Sequence, residues 1–411
     1  MTTPIGSGIL AALALTSVAL AGGNDNKNNP ASEGAPVQGG VTAAPGKGIT
    51  FTGEGYSLNL SNRIQVNLGY AANEFAEDTL GVSIRRARTK LSGSSYKDTV
   101  HFLLQFEWAD GDTADVLDAL MMWDFMKSDD MTTSLRFGQG KTLYGTEATG
   151  SSSGLEFIDR AVATAAVAHE RSRQAQVTGK MSGGKMRWNV GLLNNDVAKA
   201  APGVNDDNNN GSNELNWIAG LSVGSGHDAL YGEGYKQGAL EASEELMWVA
   251  NGAVSYGTND RNEAGVGSEY DALNINAGGV VVTGHIHGLA EVFYRNDSID
   301  TGAGIETKAF GWQAQGTYTA DAGPSVQWGG GLRASGVSVT DAKQVGVGGI
   351  GAFAPGFAGE GDIFEIEVVM SAFYAGHNLK TQFGYTFQSI KPDVGVDATN
   401  HVLELQSQIV F

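Results

Sequence analysis

The chain has 411 residues, among them 59 glycines and no cysteine, and 41% of its residues are hydrophobic. This composition is too apolar for a disordered chain, and it excludes disulfides, thiolate metal sites and cysteine nucleophiles. The formal net charge is −19, which argues against a basic surface that binds nucleic acid.

The first part of the chain divides into two stretches. Residues 9–21 are apolar and uncharged and end in Ala-Leu-Ala, the pattern of a secretory signal peptide with its cleavage site. A membrane-spanning helix needs about 20 apolar residues, so this stretch is too short to be one. We therefore predict a signal peptide at 1–21, with a short buried helix as the alternative. Residues 22–52 are rich in glycine, asparagine, proline and alanine, and we predict a flexible periplasmic linker there.

From residue 56 to the C-terminus, apolar and polar residues alternate with a period of two. Between Tyr56 and Tyr70, apolar side chains share one parity and polar side chains the other. Successive side chains of a β-strand point to opposite faces, so this pattern predicts strands with one apolar face. The sixteen segments with this pattern are 56–70, 82–95, 99–109, 115–127, 131–141, 174–182, 185–194, 214–223, 244–256, 270–281, 285–296, 307–319, 324–335, 363–374, 378–389 and 399–411.

The gaps between these segments alternate between short turns and long loops, which is the layout of an outer-membrane barrel. A tilted strand crosses the hydrocarbon with about 9–11 residues, and a sheet in lipid must close. We predict that residues 53–411 form a 16-stranded antiparallel transmembrane β-barrel in the outer membrane of a Gram-negative-type envelope. A soluble all-β protein is the alternative. The gap 224–243 is long where a short turn is due, so either that turn is elaborated or the strand count is wrong by one hairpin.

Basic residues are concentrated in the first part of the predicted barrel. Residues 53–192 hold 15 Lys and Arg against 17 Asp and Glu, whereas residues 193–411 hold 9 against 26. A cation on the lipid face would cost about 2–4 kcal/mol near the midplane, so cations of the polar parity are predicted to face the lumen. These cations are Arg63, Arg86, Arg88, Lys90, Arg136, Lys185 and Arg187. Arg85 has the other parity and is assigned to a rim.

The segment 142–173 is long and has an apolar middle. Loops of this length are usually functional or disordered. We predict that it folds into the pore and places Arg160, Arg171 and Arg173 at a constriction. Guanidinium groups stay charged and suit phosphate or carboxylate oxygens, and rings of Arg or Lys select anions. The alternative for each arginine is structural pairing with a carboxylate of the lumen.

Other chemistry finds little support in the sequence. His285 and His287 share a strand face, but no third metal ligand can be assigned. The acidic loop 205–210 lacks EF-hand spacing, and the glycine-rich stretches lack the strand-turn-helix context of a phosphate loop. No readable set of Ser, His and acid is present. We expect no enzyme, no metal and no cofactor.

Several motifs together resemble one family. They are Arg85-Arg86-Ala87-Arg88, Phe137-Gly138-Gln139-Gly140-Lys141, Phe157-Ile158-Asp159-Arg160, Glu170-Arg171-Ser172 and the closing Gln408-Ile409-Val410-Phe411. With them, residues 53–411 resemble the phosphate-selective porin O/P family. The resemblance implies a homotrimer of 16-stranded barrels, a third loop folded into each pore, and uptake of phosphate-type anions by diffusion. It also implies that Arg86, Arg88 and the arginines of the third loop line the anion path.

The charge balance leaves other functions open. A net charge of −19 is unfavourable for an anion funnel, and the second half has few cations to complete a binding ring. A general or cation-preferring porin of the same fold is therefore one alternative. A structural barrel that anchors the envelope through residues 22–52 is another. The expected partners are further copies of the chain, outer-membrane lipid and small anions such as phosphate.

Overall fold

The computed structural model describes residues 39–74, 77–109, 114–168, 171–194, 215–261, 268–299, 305–321, 323, 325–340 and 359–411. The predicted signal peptide, residues 22–38 of the predicted linker and the acidic loop lie outside these residues. The strands are β1 Gly40–Ala44, β2 Gly48–Gly53, β3 Tyr56–Asn73, β4 Thr79–Ser95, β5 Val100–Glu107, β6 Asp115–Lys127, β7 Met131–Lys141, β8 Arg171–Met181, β9 Met186–Asn194, β10 Asn216–Gly224, β11 Ser243–Arg261, β12 Ser268–Gly284, β13 Ile286–Ile299, β14 Ile305–Thr319, β15 Gln327–Thr340, β16 Gly361–Phe373, β17 Leu379–Pro392 and β18 Ala398–Val410. The helices are α1 Thr146–Thr149, α2 Val162–Val167 and α3 His227–Leu230.

Strands β3 to β18 form a closed antiparallel ring, in which each strand pairs with the next and β18 pairs back with β3. The prediction of a 16-stranded antiparallel barrel is confirmed, and every predicted segment coincides with one of these strands. Strands β11 and β12 are longer than predicted and reach Arg261 and Ser268. Closure gives each strand of the ring a neighbour on both sides, which is the condition for strands to span lipid.

The two faces of the barrel wall have opposite chemistry. On β18, the side chain of Leu405 is 41% exposed, whereas that of its neighbour Gln406 is 1% exposed. The same order holds along β17, where Phe383 is exposed and Gln382 is buried. Apolar side chains therefore point outward and polar side chains point into the lumen, the reverse of a protein in water.

Strands β1 and β2 form a hairpin within the stretch predicted to be a linker, so the structure differs from the prediction there. Strand β2 pairs with β3 from Tyr56 to Leu60, next to the part of β3 that pairs with β18. Gly48 makes the turn possible: its φ is +71°, and a Cβ there would lie 2.0 Å from the carbonyl oxygen of Leu60. Ile49 and Phe51 alternate with threonines, a strand pattern too short to stand out beside the glycine-rich residues before it.

Two long connections carry the helices. The third loop, residues 142–168, contains α1, a 3-10 turn at Ser152–Gly154 and α2. The inner segment, residues 225–242, connects β10 to β11 and contains α3, so the unexpected gap is an elaborated turn and the predicted strand count stands. No helix among the described residues is long and apolar enough to cross a membrane.

Candidate functional site

Polar side chains of β13 and β14 hold the two helices of the third loop. Glu291 of β13 accepts hydrogen bonds from the backbone N–H groups of Thr146 and Glu147 at the start of α1. These are N–H groups that a helix leaves unpaired at its N-terminus, where negative charge is favourable. Gln313 of β14 donates a hydrogen bond to the Thr164 hydroxyl of α2 at 2.9 Å.

The middle of the third loop contacts two arginines of β3 and β4. Arg63 and Arg88 are directly opposite each other in the β3–β4 ladder. Both donate to the hydroxyl of Ser152, at 3.0 and 3.2 Å. Arg88 also donates to Glu107 of β5 at 2.6 Å. The hydroxyl carries no charge, and among the described residues the carboxylate that these two guanidinium groups contact is that of Glu107, through Arg88.

Arg85 and Arg86 both reach Asp159 of the third loop. The β3–β4 ladder has an irregularity between Gln65 and Val66, and Arg85 is the residue that the pairing skips. Such a bulge re-aims a side chain, so Arg85 joins Arg86 on Asp159, with N–O distances of 2.9 and 2.8 Å. The rim position assigned to Arg85 from parity is therefore wrong. Burial raises the pKa of the Asp159 carboxyl, but the two guanidinium groups outweigh it and hold this pKa well below its usual range.

Arg160 and Lys141 support the turn that follows α1. Arg160 donates to the carbonyl oxygens of Glu147, Ala148 and Gly150 at 3.3 to 3.4 Å. Lys141, at the end of β7, donates to carbonyl oxygens of the same turn. Cations near carbonyl groups at a helix C-terminus are favourable, so this pair fixes the loop backbone.

Arg171 and Arg173 lie on strand β8, which corrects their assignment to the loop. The β7–β8 ladder continues as far as Lys141 opposite Arg171, because each further pair satisfies backbone groups that would otherwise be unpaired. Arg171 forms an ion pair with Asp118 of β6 at 2.9 Å. Arg173 has an exposed side chain, which lies on the opposite face of β8 from the buried Gln174.

Two further predicted cations bind the inner segment. Arg136 of β7 donates to Glu233, and Arg187 of β9 donates to Asp228 at 2.8 Å. Lys90 of β4 has an exposed side chain. Pairing with a carboxylate was the structural alternative raised from the sequence. It applies to five of the predicted arginines: Arg86, Arg88, Arg136, Arg171 and Arg187.

A cavity of about 220 Å³ lies beside the third loop and strands β15 to β18. Its charged lining residues are Asp159, Arg160, Arg333, Glu365, Glu367 and Glu404. Arg333 of β15 pairs with Glu147 of α1 at 3.3 Å and with Glu367 of β16. The lumen is therefore uneven: in the contacts given above, four arginines of β3 and β4 reach two carboxylates, whereas glutamates are in excess at this cavity.

Sequence reasoning missed several residues that hold this arrangement. Arg333 lies in a predicted strand on the polar parity, so parity alone could have found it. Glu291 and Glu147 could not be paired from the sequence, because register between distant strands and a loop is not readable there. The contact of Arg85 with Asp159 could not be predicted, because the sequence does not show where the β4 bulge lies.

One family model and several solved structures are similar to this chain. The family model described as phosphate-selective porin O and P matches residues 58–326. A comparison with curated proteins finds none that matches the chain.

Solved structures with the same fold include three bacterial outer-membrane proteins. The outer membrane channel DcaP of Acinetobacter baumannii has a TM-score of 0.56 at 13% identity, over 87% of this chain and 98% of its own. An anion-selective porin from Comamonas acidovorans has a TM-score of 0.54 at 10% identity, over 87% and 100%. The loop L8 deletion mutant of OmpT from Vibrio cholerae has a TM-score of 0.53 at 10% identity, over 86% and 99%. At these identities the likeness concerns the fold.

Proposed function

This chain belongs to the phosphate-selective porin O and P family, and on that premise we propose that it admits small hydrophilic anions such as phosphate by passive diffusion. Its family and its fold make it an outer-membrane channel. The anion preference and the place where it arises are the proposal. The constriction lies between the third loop and the wall formed by β3 and β4.

The observation that carries the proposal is the arginine cluster on that wall. Arg63, Arg85, Arg86 and Arg88 face the third loop, and the carboxylates they contact are Asp159 and Glu107. Four guanidinium groups against two carboxylates leave this side positive. Guanidinium groups offer several N–H donors and cannot lose their charge, so they can replace water around a passing phosphate. Lys90 lies on the same face of β4 as Arg86 and Arg88.

The test is the zero-current potential of the purified protein in a planar bilayer under a salt gradient. We expect an anion-selective potential and a chloride current that added phosphate reduces. Replacing Arg86 and Arg88 with Ala should move the potential towards cations, because Glu107 then loses its arginine partner and Asp159 keeps only Arg85. The control is Arg173→Ala, which removes an exposed arginine of β8. A cation-selective wild type, or an unchanged potential in the double variant, would reject the anion path.

The cavity beside β15 to β18 favours a second candidate, a cation-preferring porin of the same fold. Glu365, Glu367 and Glu404 outnumber Arg160 and Arg333 around it, so its lining attracts cations. In that case Glu365→Gln with Glu404→Gln should lower cation selectivity at low salt. An unchanged potential in this variant would count against the candidate.

We also infer self-association as a homotrimer, with β4 at the contact. Pairing of β4 with β3 reaches Thr79, but its described pairing with β5 stops at Arg88 opposite Glu107. Leu80 and Val82 are each 73% exposed, because no described strand covers that side. Backbone groups in lipid need partners, and a second copy can supply this cover. Chemical cross-linking in detergent should give a trimer, whereas a monomer at all concentrations would contradict this inference.

A further inference from the structure

The inner segment is buried in the lumen and is attached to the barrel wall. Tyr235 is 1% exposed and Gln237 is 2% exposed. The Tyr235 hydroxyl lies 2.6 Å from Nε2 of His287 on β13, and His377 donates to the carbonyl oxygen of Gln237 at 2.7 Å. Gln327 of β15 donates to the carbonyl oxygen of Leu240 at 2.6 Å. The segment therefore fills part of the barrel interior.

The inner segment and the third loop enter the barrel from opposite ends. The third loop connects β7 to β8, and the inner segment connects β10 to β11. In a closed antiparallel ring, successive connections alternate between the two ends. Two connections, β8–β9 and β9–β10, lie between them, so β10–β11 is three steps after β7–β8 and belongs to the other end.

The two segments meet through backbone hydrogen bonds. The N–H of Ser151 donates to the carbonyl oxygen of Tyr235 at 3.1 Å, and the N–H of Gln237 donates to that of Gly154 at 2.7 Å. The Gln237 amide oxygen accepts from the N–H of Glu156 at 3.0 Å, and its nitrogen donates to the Glu147 carboxylate at 3.3 Å. Gln237 of the inner segment thus contacts three residues of the third loop, Glu147, Gly154 and Glu156.

Glycines make this close contact possible. A Cβ on Gly154 would lie 2.6 Å from the Cα of Lys236, a backbone atom that cannot rotate away. Gly238 has a φ of +95°, and a Cβ there would lie 2.2 Å from the Glu156 carboxylate. A residue with a side chain at either position would push the two segments apart.

The inner segment forms ion pairs at its base, and the rest of it is held by side-chain hydrogen bonds without forming a strand of the ring. Asp228 pairs with Lys180 and Arg187 at 2.6 and 2.8 Å, near the short-turn end. Beyond this base the segment contains Gly232, Gly234 and Gly238, which lower the cost of other backbone conformations. Its polar contacts with the third loop are hydrogen bonds, whose net contribution to stability is small because water can replace the partner when the contact opens.

We propose that the docking of the inner segment on residues 150–156 of the third loop is a gate of the channel. When the two segments are docked, they bridge the lumen and limit conductance. When the contact between Gly154 and Lys236 opens, the solute path beside the arginine cluster widens. This inference depends on the proposed porin function and adds a second, movable wall to the constriction.

The first test compares two glycine variants in single-channel recordings. Gly154→Ala places a methyl group against Lys236, whereas Gly234→Ala places one where nothing lies within 4 Å. We expect the conductance or the open probability of Gly154→Ala to be at least about twofold above that of the wild type, by wedging of a packed backbone contact. Gly234→Ala should match the wild type. Equal recordings from all three proteins, each folded, would overturn the gate.

A second variant keeps the inference testable if the alanine disturbs folding. Residues 229–239 are replaced by a short Gly-Ser linker, and barrel folding is checked by heat-modifiable gel mobility. A larger conductance than that of the wild type supports the gate, and an equal conductance rejects it.

The same recordings distinguish the two proposals. A wild type that is silent while the shortened variant conducts supports the gate. If both variants conduct more than the wild type but prefer cations, the gate is supported and anion selectivity is rejected. No channels in any protein would reject the porin function and the gate with it.

Discussion

Glu156 is a buried carboxyl at the junction of the third loop and the inner segment. Burial raises its pKa to about 7. The groups that face it are His287 from β13, Thr317 and Thr319 from β14, Lys380 from β17 and Tyr235 from the inner segment. Its Oε2 atom has no hydrogen-bond partner among the described residues. Ionising this group costs more in the docked junction than in water.

The conductance of the wild type should therefore rise with pH. An acid with a raised pKa binds its proton more tightly in the docked state than in the released state, where Glu156 returns to its ordinary 4.5. Protonated Glu156 therefore stabilises the docked state fully below pH 4.5. This stabilisation is lost as the pH rises from 4.5 to about 7, and it is absent above pH 7. Conductance measured across this interval should increase, and Glu156→Gln should flatten the profile. The same profile in both proteins would contradict this role of Glu156.

Arg333 balances two carboxylates that would otherwise be buried without a counter-charge. Its side chain is 2% exposed, contacts Glu147 and Glu367, and lies 4.6 Å from the ring centre of Phe157. Removing one partner of a buried ion pair costs about 3–5 kcal/mol. Arg333→Met should lower the free energy of unfolding by about this amount, measured by urea titration in lipid vesicles. Arg173→Met is the control and should leave it nearly unchanged, since Arg173 is exposed.

At the scale of elements, alternation identified the strands, and local irregularities decided which side chains reach the site. The bulge at Arg85 brings two successive arginines onto one carboxylate. Strict alternation sends one of them to the other face, so the parity argument failed at one residue of β4. The extension of β8 to Arg171 has a similar origin, because ladder pairing continues where the apolar pattern has ended.

The β1–β2 hairpin depends on Gly48. Gly48→Ala would place a Cβ 2.0 Å from the Leu60 carbonyl oxygen in a left-handed conformation, which disfavours the turn. We expect faster amide hydrogen exchange in residues 40–53 with unchanged conductance, since the closed ring of β3 to β18 does not need the hairpin. Gly316→Ala on β14 is the control, because a Cβ there meets nothing within 4 Å. Loss of the whole barrel in Gly48→Ala would show that the hairpin has a larger structural role.

At the scale of the whole molecule, stability depends on an apolar outer face and a polar interior. Leu405 lies near the middle of β18 with 41% of its side chain exposed, and Ile409 lies near the strand end with 43% exposed. An arginine on the lipid face costs about 2–4 kcal/mol at the midplane and about 0–1 kcal/mol near the interface. Leu405→Arg should therefore lower the free energy of folding into vesicles much more than Ile409→Arg. Equal costs would contradict the orientation of β18 in the membrane.

The sequence by itself determined the class of the fold, the number of barrel strands and, away from irregularities such as the β4 bulge, the face on which strand side chains lie. It could do so because side-chain parity and the demand for paired backbone groups in lipid act on each strand locally. It also assigned the basic residues of β3 and β4, except Arg85, to the lumen. The tertiary structure alone decided which carboxylate neutralises which arginine, where the β4 bulge falls, and that the third loop docks on the inner segment. These contacts join residues far apart in the chain, and their register depends on how sixteen strands close into one ring.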